Sequence, residues 1–245
     1  MDNSKLDVCE IYRTIKSSGV DSGKPVLCIR LFGTNLEDRN DKRGYAWSKN
    51  LKSMKLNSKV TSVEDVLSII DDVKGDKMHW LVTGGEPLLQ QESFLTLYKR
   101  FQKTRNGNIP YVEIETNGLI QPLKPVDKIV DRYNVSIKLS NSLNGDPKST
   151  FGRRIKESII QFYLDSDKAN FIFEVDSEED IKEVDELVRL FKIPVDKVWL
   201  KPLTIDSRGV IRSIGILWNA CLTKGYNLSN RLYMFVHGND IKRGI

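Results

Sequence analysis

Short β-branched or aromatic runs alternate with longer helical patterns along almost the whole chain, and this alternation limits the fold more than any other feature. Strict alternation of strand and helix predicts an α/β fold with a parallel sheet, in which the helices are crossover connections. The predicted strands are 26–32, 78–83, 111–115, 135–139, 171–175, 198–201 and 232–237. The predicted helices are 63–73, 91–104, 126–133, 151–163, 178–191 and 210–224.

The length and composition favour one globular domain. With 245 residues, of which 40% are hydrophobic and 29% charged, we expect residues 1–245 to form a single domain. The sequence has no apolar run long enough to cross a membrane and no secretory signal at its start, so we expect a cytoplasmic protein. The three cysteines are far apart, which indicates reduced thiols rather than a disulfide framework.

The net charge of +5 could favour an anionic ligand or a nucleic acid. The densest basic stretch, residues 98–105, interleaves with Phe94, Leu97 and Phe101 as on an amphipathic helix with a solvated face. The sequence has no clear arginine–aromatic stripe, so a nucleic-acid role is the least favoured alternative.

Chemistry in parallel α/β folds collects on loops at the carboxyl ends of strands. After the second predicted strand, Gly84 and Gly85 allow close backbone approach to a ligand and are followed by the carboxylate of Glu86. The same residues also fit a turn before a helix that begins at Pro87.

The loops after the next two strands carry polar side chains. In residues 112–118 the alternation predicts that one of Glu113 and Glu115 faces the interior, and Glu115, nearer the strand end, is the better candidate. An exposed glutamate beside a salt-bridged one fits the pattern equally well. Ser136 and Lys138 could bond a ribose or a carboxylate, although a hydroxyl-rich turn explains this segment too.

The order and spacing of these segments resemble one family, the 7-carboxy-7-deazaguanine synthases, which are radical S-adenosylmethionine enzymes. The resemblance covers nearly the whole chain. It rests on Thr-Gly-Gly-Glu-Pro-Leu-Leu-Gln at 83–90, Val-Glu-Ile-Glu-Thr-Asn-Gly at 112–118, Ser-Ile-Lys at 136–138, Val-Trp-Leu-Lys-Pro at 198–202, and the segments 10–33 and 231–245.

The resemblance implies a partial (β/α) barrel that binds S-adenosylmethionine, a four-iron four-sulfur cluster, Mg²⁺ and 6-carboxy-tetrahydropterin, usually as a homodimer. It implies a radical ring contraction as the reaction. By matching position, Gly84, Gly85 and Glu86 would hold the methionine amine, and Ser136 and Lys138 would meet the cofactor's ribose or carboxylate. The substrate-binding residues would be Glu115, Asn117 and Arg30.

The chain departs from the family where the cluster would bind. Three cysteines spaced Cys-x3-Cys-x2-Cys are replaced by Thr34, Asp38 and Asp41, and oxygen ligands suit such a cluster poorly. We therefore expect no iron–sulfur cluster. Basic residues interleave with the acids of this loop, which favours a salt-bridged loop over a new metal site.

Other departures affect the Mg²⁺ and substrate elements. The family's Asp-Thr pair is replaced by Lys42 and Arg43, so we expect no Mg²⁺, although these cations could neutralise a substrate carboxylate. The early Gln-Gly-Glu-Gly element is Lys-Ser-Ser-Gly at 16–19, and Tyr233 stands where the family usually has histidine.

Three hypotheses remain for the function. We favour a pseudoenzyme that keeps the barrel and binds S-adenosylmethionine, a pterin or a purine-like base, alone or in a protein complex. The second is an active enzyme of queuosine or deazaguanine biosynthesis, which converts 6-carboxy-tetrahydropterin to 7-carboxy-7-deazaguanine or uses cluster-independent chemistry. We identify no complete catalytic constellation, since His79 and His237 lie outside recognisable motifs. The third is a nucleic-acid-associated or structural protein.

Overall fold

A computed structural model of the chain describes residues 3–36, 38, 58–105, 109–203 and 207–238. Within these ranges, nine strands form one sheet in the order β3-β1-β2-β4-β5-β6-β7-β8-β9. The strands are β1 Lys5–Ile15, β2 Pro25–Leu31, β3 Lys59–Ser62, β4 His79–Gly84, β5 Val112–Thr116, β6 Arg132–Ser136, β7 Ala169–Val175, β8 Val198–Pro202 and β9 Asn227–Leu228.

The predicted parallel sheet is confirmed from β2 through β9, since each neighbouring pair in this part of the sheet runs parallel. The sequence analysis did not predict the antiparallel edge, where β1 pairs with both β2 and β3. The β1 sequence mixes charged and apolar residues, and many of its side chains are half-buried or exposed. It therefore lacks the continuous apolar run that identifies a central parallel strand.

Eight α-helices lie in the described part of the chain. They are α1 Val63–Asp72, α2 Gln91–Thr104, α3 Lys124–Asp127, α4 Pro147–Arg154, α5 Glu157–Leu164, α6 Glu178–Phe191, α7 Ser207–Lys224 and α8 Leu232–His237. Short 3₁₀ turns occupy Pro87–Gln90, Ser140–Ser142 and Val195–Lys197.

Four predicted elements are wrong or only partly right. The strand predicted at 135–139 is β6, Arg132–Ser136, which shares only two residues with the predicted range. The predicted helix at 126–133 is the four-residue α3, because Tyr133 already belongs to β6. The predicted helix at 151–163 is two helices, since Ile155 and Lys156 adopt extended backbone angles between α4 and α5. The predicted strand at 232–237 is the helix α8.

The two faces of the sheet differ in chemistry. Outward-facing residues of the central strands pack against the helices and form the main apolar core, which joins elements from β1 to α7 in one α/β unit. Trp80 of β4, for example, packs edge-on against Phe101 of α2 with ring centroids 4.7 Å apart. Burial of this face supplies the main driving force for folding.

The inward-facing residues are largely polar. Alternate positions on β2 and on β4 to β8 line one common cavity, so the sheet curves around it as an open, partial barrel. These positions include Arg30, Thr83, Glu115, Asn134, Ser136, Glu174 and Lys201. Among the helices in the described ranges, none has both the length and the apolar character that crossing a membrane requires.

Candidate functional site

The cavity inside the curved sheet has a volume of about 330 Å³ and reaches the carboxyl ends of the parallel strands. Among the described residues that line this cavity, there are two more cationic side chains than anionic ones. The cations are Lys16, Arg30, Lys138, Lys201 and Arg231, and the anions are Asp38, Glu115 and Glu174. Two of these cations are balanced by carboxylates just outside the lining, since Lys16 pairs with Glu113 and Arg30 lies beside Glu10, so the cavity favours a small polar ligand whatever the sign of its charge.

Gly84 and Gly85 form the point where the end of β4 touches the end of β2. Gly84 has a φ of +128°, and a Cβ atom placed on it would lie 1.9 Å from the carbonyl oxygen of Leu31. A Cβ atom on Gly85 would lie 1.9 Å from the carbonyl oxygen of Gly33. Both glycines also line the cavity, so this close packing leaves backbone rather than side chain on its wall.

Glu86 is fully buried beside this contact, and its carboxylate accepts hydrogen bonds from its own chain. The donors are the backbone N–H groups of Leu88 (3.1 Å) and Asn117 (2.7 Å) and the hydroxyl of Thr116 (2.9 Å). Burial raises the pKa of Glu86 to about 7, although these donors lower it. Glu86 thus joins the loops after β4 and β5, and its assignment to a methionine amine stays a prediction.

Glu115 and Asn117 lie at the cavity wall, and substrate binding by them stays a prediction. Glu115 accepts a 2.5 Å hydrogen bond from the hydroxyl of Thr83 on the neighbouring strand. The Asn117 side chain donates to Asn35 Oδ1 at 2.7 Å and accepts from the Leu119 N–H at 3.0 Å. Both side chains are therefore held in place at the mouth of the cavity.

Glu113 lies deeper in the barrel, on the same face as Glu115. Residues two apart on a strand share a face, so the expectation that one of the pair would face inward was wrong: both do. Glu113 forms a buried ion pair with Lys16, and His79 Nε2 lies 2.9 Å from its second oxygen. Burial alone would raise the pKa of Glu113, but His79 and Lys16 hold it below its usual value. Lys16 thus places a neutralised charge pair at the cavity floor.

Arg30, on β2, projects into the cavity beside Tyr12 of β1. Its guanidinium donates to the Tyr12 hydroxyl at 2.8 Å, and its Nε lies 3.4 Å from a Glu10 carboxylate oxygen. Arg30 is therefore oriented by β1, the strand that the sequence analysis did not predict.

A cluster of cations surrounds Glu174 at the carboxyl end of β7. Its carboxylate lies 3.0 Å from Lys138, 3.1 Å from Lys201 and 3.0 Å from Arg231. Burial would raise the pKa of Glu174, but the three cations hold it well below its usual value. The sequence analysis did not assign Glu174, although strict alternation along β7 places it inward between outward-facing Phe173 and Val175.

The loop that carries Lys138 is fixed from behind by Arg154 of α4. The Arg154 guanidinium is almost fully buried and donates to the Lys138 carbonyl oxygen at 2.6 Å and to Glu183 at 3.1 Å. Glu183 in turn accepts from the backbone and the hydroxyl of Ser140. Ser136 and Lys138, the predicted cofactor-binding pair, both line the cavity in front of this network.

The described donors at the former cysteine positions do not fit an iron–sulfur cluster. The Thr34 hydroxyl is bonded within its own turn, donating to the Leu36 carbonyl at 2.8 Å and accepting from the Leu36 N–H at 3.1 Å. The Asp38 carboxylate lies 2.9 Å from Lys138 Nζ. Neither group is a thiolate, and the third position, Asp41, lies outside the described residues together with Lys42 and Arg43.

Comparison with known proteins gives a consistent set of relatives. The chain is 28% identical over 235 residues to the 7-carboxy-7-deazaguanine synthase of Pyrobaculum aerophilum, a match that covers 96% of each chain. The enzyme of the same name from Hyperthermus butylicus is 26% identical over 243 residues, with 96% of this chain and 94% of the relative covered. No protein-family model matches the chain.

Solved structures show the same fold. QueE from Escherichia coli aligns with a TM-score of 0.64 at 22% identity, over 94% of this chain and 98% of its own. A structure of anSMEcpe with bound AdoMet aligns with a TM-score of 0.51 at 15% identity, over 82% of this chain and 62% of its own. Relatives of one name match almost the full length of the chain, which is therefore similar to the 7-carboxy-7-deazaguanine synthases and shares the fold of the solved structures.

Proposed function

We propose that this protein binds S-adenosylmethionine, or a pterin- or purine-like molecule, in the barrel cavity without carrying out cluster-dependent radical chemistry. The observation that carries the proposal is the Asp38–Lys138 ion pair. A position that holds a thiolate in the family is here a carboxylate whose charge is already neutralised inside the cavity. Thr34, bonded to its own turn, supports the same conclusion.

Retention of the rest of the cavity supports a binding role. The Gly84–Gly85 contact, the inward-facing Glu115 and the Ser136–Lys138 segment lie around one space, and a protein of similar fold was solved with AdoMet bound. The protein would act as a binding protein or as part of a complex. A cytoplasmic homodimer belongs to the same proposal.

Calorimetric titration with S-adenosylmethionine tests this proposal. We expect saturable binding by the wild-type protein and weaker binding, by about threefold to tenfold, after Ser136→Ala, the usual effect of losing one hydrogen bond. Ser68→Ala, on the exposed face of α1, is the matched control and should bind like the wild type. Absence of binding by the wild type, or equal binding by Ser136→Ala and wild type, would contradict the assigned cofactor site.

The names of the relatives favour a second candidate, an active enzyme that converts 6-carboxy-tetrahydropterin to 7-carboxy-7-deazaguanine. This candidate predicts product formation from the pterin by the purified protein under anaerobic, reducing conditions with S-adenosylmethionine. Our proposal predicts none. Product above the level of a protein-free control would favour the enzyme.

A further inference from the structure

Lys138 lies between two carboxylates that differ in how they are held. Glu174 is on β7 and is shared by Lys138, Lys201 and Arg231. Asp38 contacts the same ammonium group at 2.9 Å, and its side chain is only 15% exposed. Both contacts raise the pKa of Lys138 above its usual value, although burial alone would lower it. Lys138 is therefore charged, and both of its carboxylate partners line the cavity with it.

Asp38 presents the same chemical group that an amino-acid-type ligand would present to Lys138. Asp38 and Lys138 both line the cavity, so a ligand carboxylate that approaches this ammonium group meets Asp38 there. A ligand carboxylate would be the third at Lys138 and would be repelled by both Asp38 and Glu174. Glu174 also contacts Lys201 and Arg231, so it keeps two cationic partners if a ligand takes its place at Lys138.

We propose that Asp38 is an internal competitor for the carboxylate of any ligand that binds in this cavity. The inference rests on the proposed binding function and adds a determinant of affinity and selectivity to it. A carboxylate-bearing ligand binds by displacing Asp38 from Lys138. Its apparent affinity is therefore its intrinsic affinity multiplied by the fraction of unliganded molecules in which Asp38 is already displaced. An intramolecular group has an effective concentration in the millimolar range or above, which makes this competition substantial. The same competition applies to any other anionic group that a ligand brings to Lys138, and ligands without an anionic group do not meet it.

The substitution Asp38→Asn removes the negative charge of the competing side chain and keeps its size. Glu174 still neutralises Lys138 in this variant, so the fold should persist, and thermal melting checks this. The matched control is Glu179→Gln, which removes one negative charge from a side chain that is 80% exposed on α6. The probes are S-adenosylmethionine, which carries a carboxylate, 5′-methylthioadenosine, which does not, and pyrophosphate, an anion without adenosine.

We expect Asp38→Asn to bind S-adenosylmethionine at least about tenfold more tightly than wild type and Glu179→Gln, and to bind 5′-methylthioadenosine unchanged. Pyrophosphate should also bind Asp38→Asn more tightly. An equal gain for both adenosine compounds, or no gain for S-adenosylmethionine, would overturn the inference. If neither adenosine compound binds any of the three proteins, the proposed function is wrong, and pyrophosphate still decides: a gain specific to Asp38→Asn supports the competitor, and equal binding refutes it.

Discussion

At the scale of single residues, Glu86 joins two loops of the site through its own hydrogen bonds. It is fully buried, and the donors from Leu88, Thr116 and Asn117 bring the loops after β4 and β5 together. Its position in the Gly-Gly-Glu-Pro segment could be predicted from the sequence. The bonds to Thr116 and Asn117 could not, because these residues are 30 and 31 positions further along the chain and meet Glu86 only when β4 and β5 pair.

The raised pKa of Glu86 predicts a pH-dependent stability. Unfolded chains lose this proton near pH 4.5, whereas the folded chain keeps it up to about pH 7. The folded state therefore binds more protons between these values, and the free energy of unfolding falls as the pH rises through this window. At about 1.4 kcal/mol per pKa unit, the contribution reaches an upper limit of about 3 kcal/mol.

Glu86→Gln should remove this part of the pH dependence. We expect the wild-type protein to lose about 2–3 kcal/mol more than the variant between about pH 5 and about pH 8, measured by urea unfolding. The exposed Glu179→Gln change should leave the wild-type dependence intact. If the free energies of unfolding of wild type and Glu86→Gln change with pH in parallel, burial of Glu86 does not cause the pH dependence.

The glutamates of β5 show where the sequence interpretation failed at this scale. The composition of the strand indicated an inward carboxylate, but a spacing of two places Glu113 and Glu115 on the same face. The consequence is that Glu113 requires a buried cation. Lys16 supplies it from a segment 97 residues away, a pairing that no local pattern indicates.

At the scale of elements, local pattern predicted the central strands and the long helices well. The apolar runs of β2, β4, β7 and β8 and the amphipathic helices α1, α2 and α6 all occur close to their predicted bounds. The failures are elements whose state depends on tertiary neighbours. Residues 232–237 are rich in strand-forming residues but form the helix α8, whose Leu232 N–H donates to the Ser17 carbonyl oxygen.

The contact between the ends of β4 and β2 is the element-scale feature that we expect to tolerate change least. Gly84→Ala adds a methyl group 1.9 Å from a backbone oxygen and forces a left-handed φ on alanine. We expect a loss of at least about 4 kcal/mol in the free energy of unfolding, or failure to fold, because overlap and backbone strain add.

Gly152→Ala is the matched control for this prediction. Gly152 lies in the helix α4, and a Cβ atom there meets no other atom within 4 Å. This change should stabilise the protein by up to about 1 kcal/mol, since alanine favours the helix. Chemical denaturation measures the free energy of unfolding of both variants. If Gly84→Ala changes it as little as Gly152→Ala does, the close packing of β4 on β2 is contradicted.

At the scale of the whole molecule, the partial barrel has the architecture of the solved structures that it resembles, and many of its cavity charges pair with charges of its own chain. Lys16 pairs with Glu113 at the floor of the cavity, and Asp38 pairs with Lys138 at the carboxyl ends of the strands. Both pairs include a residue at a position where the chain departs from the family pattern. The protein therefore combines the fold of these solved structures with, at these two places, charge pairs made from its own side chains.

Anaerobic reconstitution with iron and sulfide, followed by iron and sulfide analysis and a visible absorption spectrum, tests the central claim most directly. The comparison protein is the triple variant Thr34→Cys, Asp38→Cys, Asp41→Cys, which restores the three thiolates at the family spacing. We predict that the wild-type protein retains no stoichiometric cluster, whereas the triple variant gains up to about four iron atoms per chain. A wild-type protein that assembles a stoichiometric cluster would contradict the account.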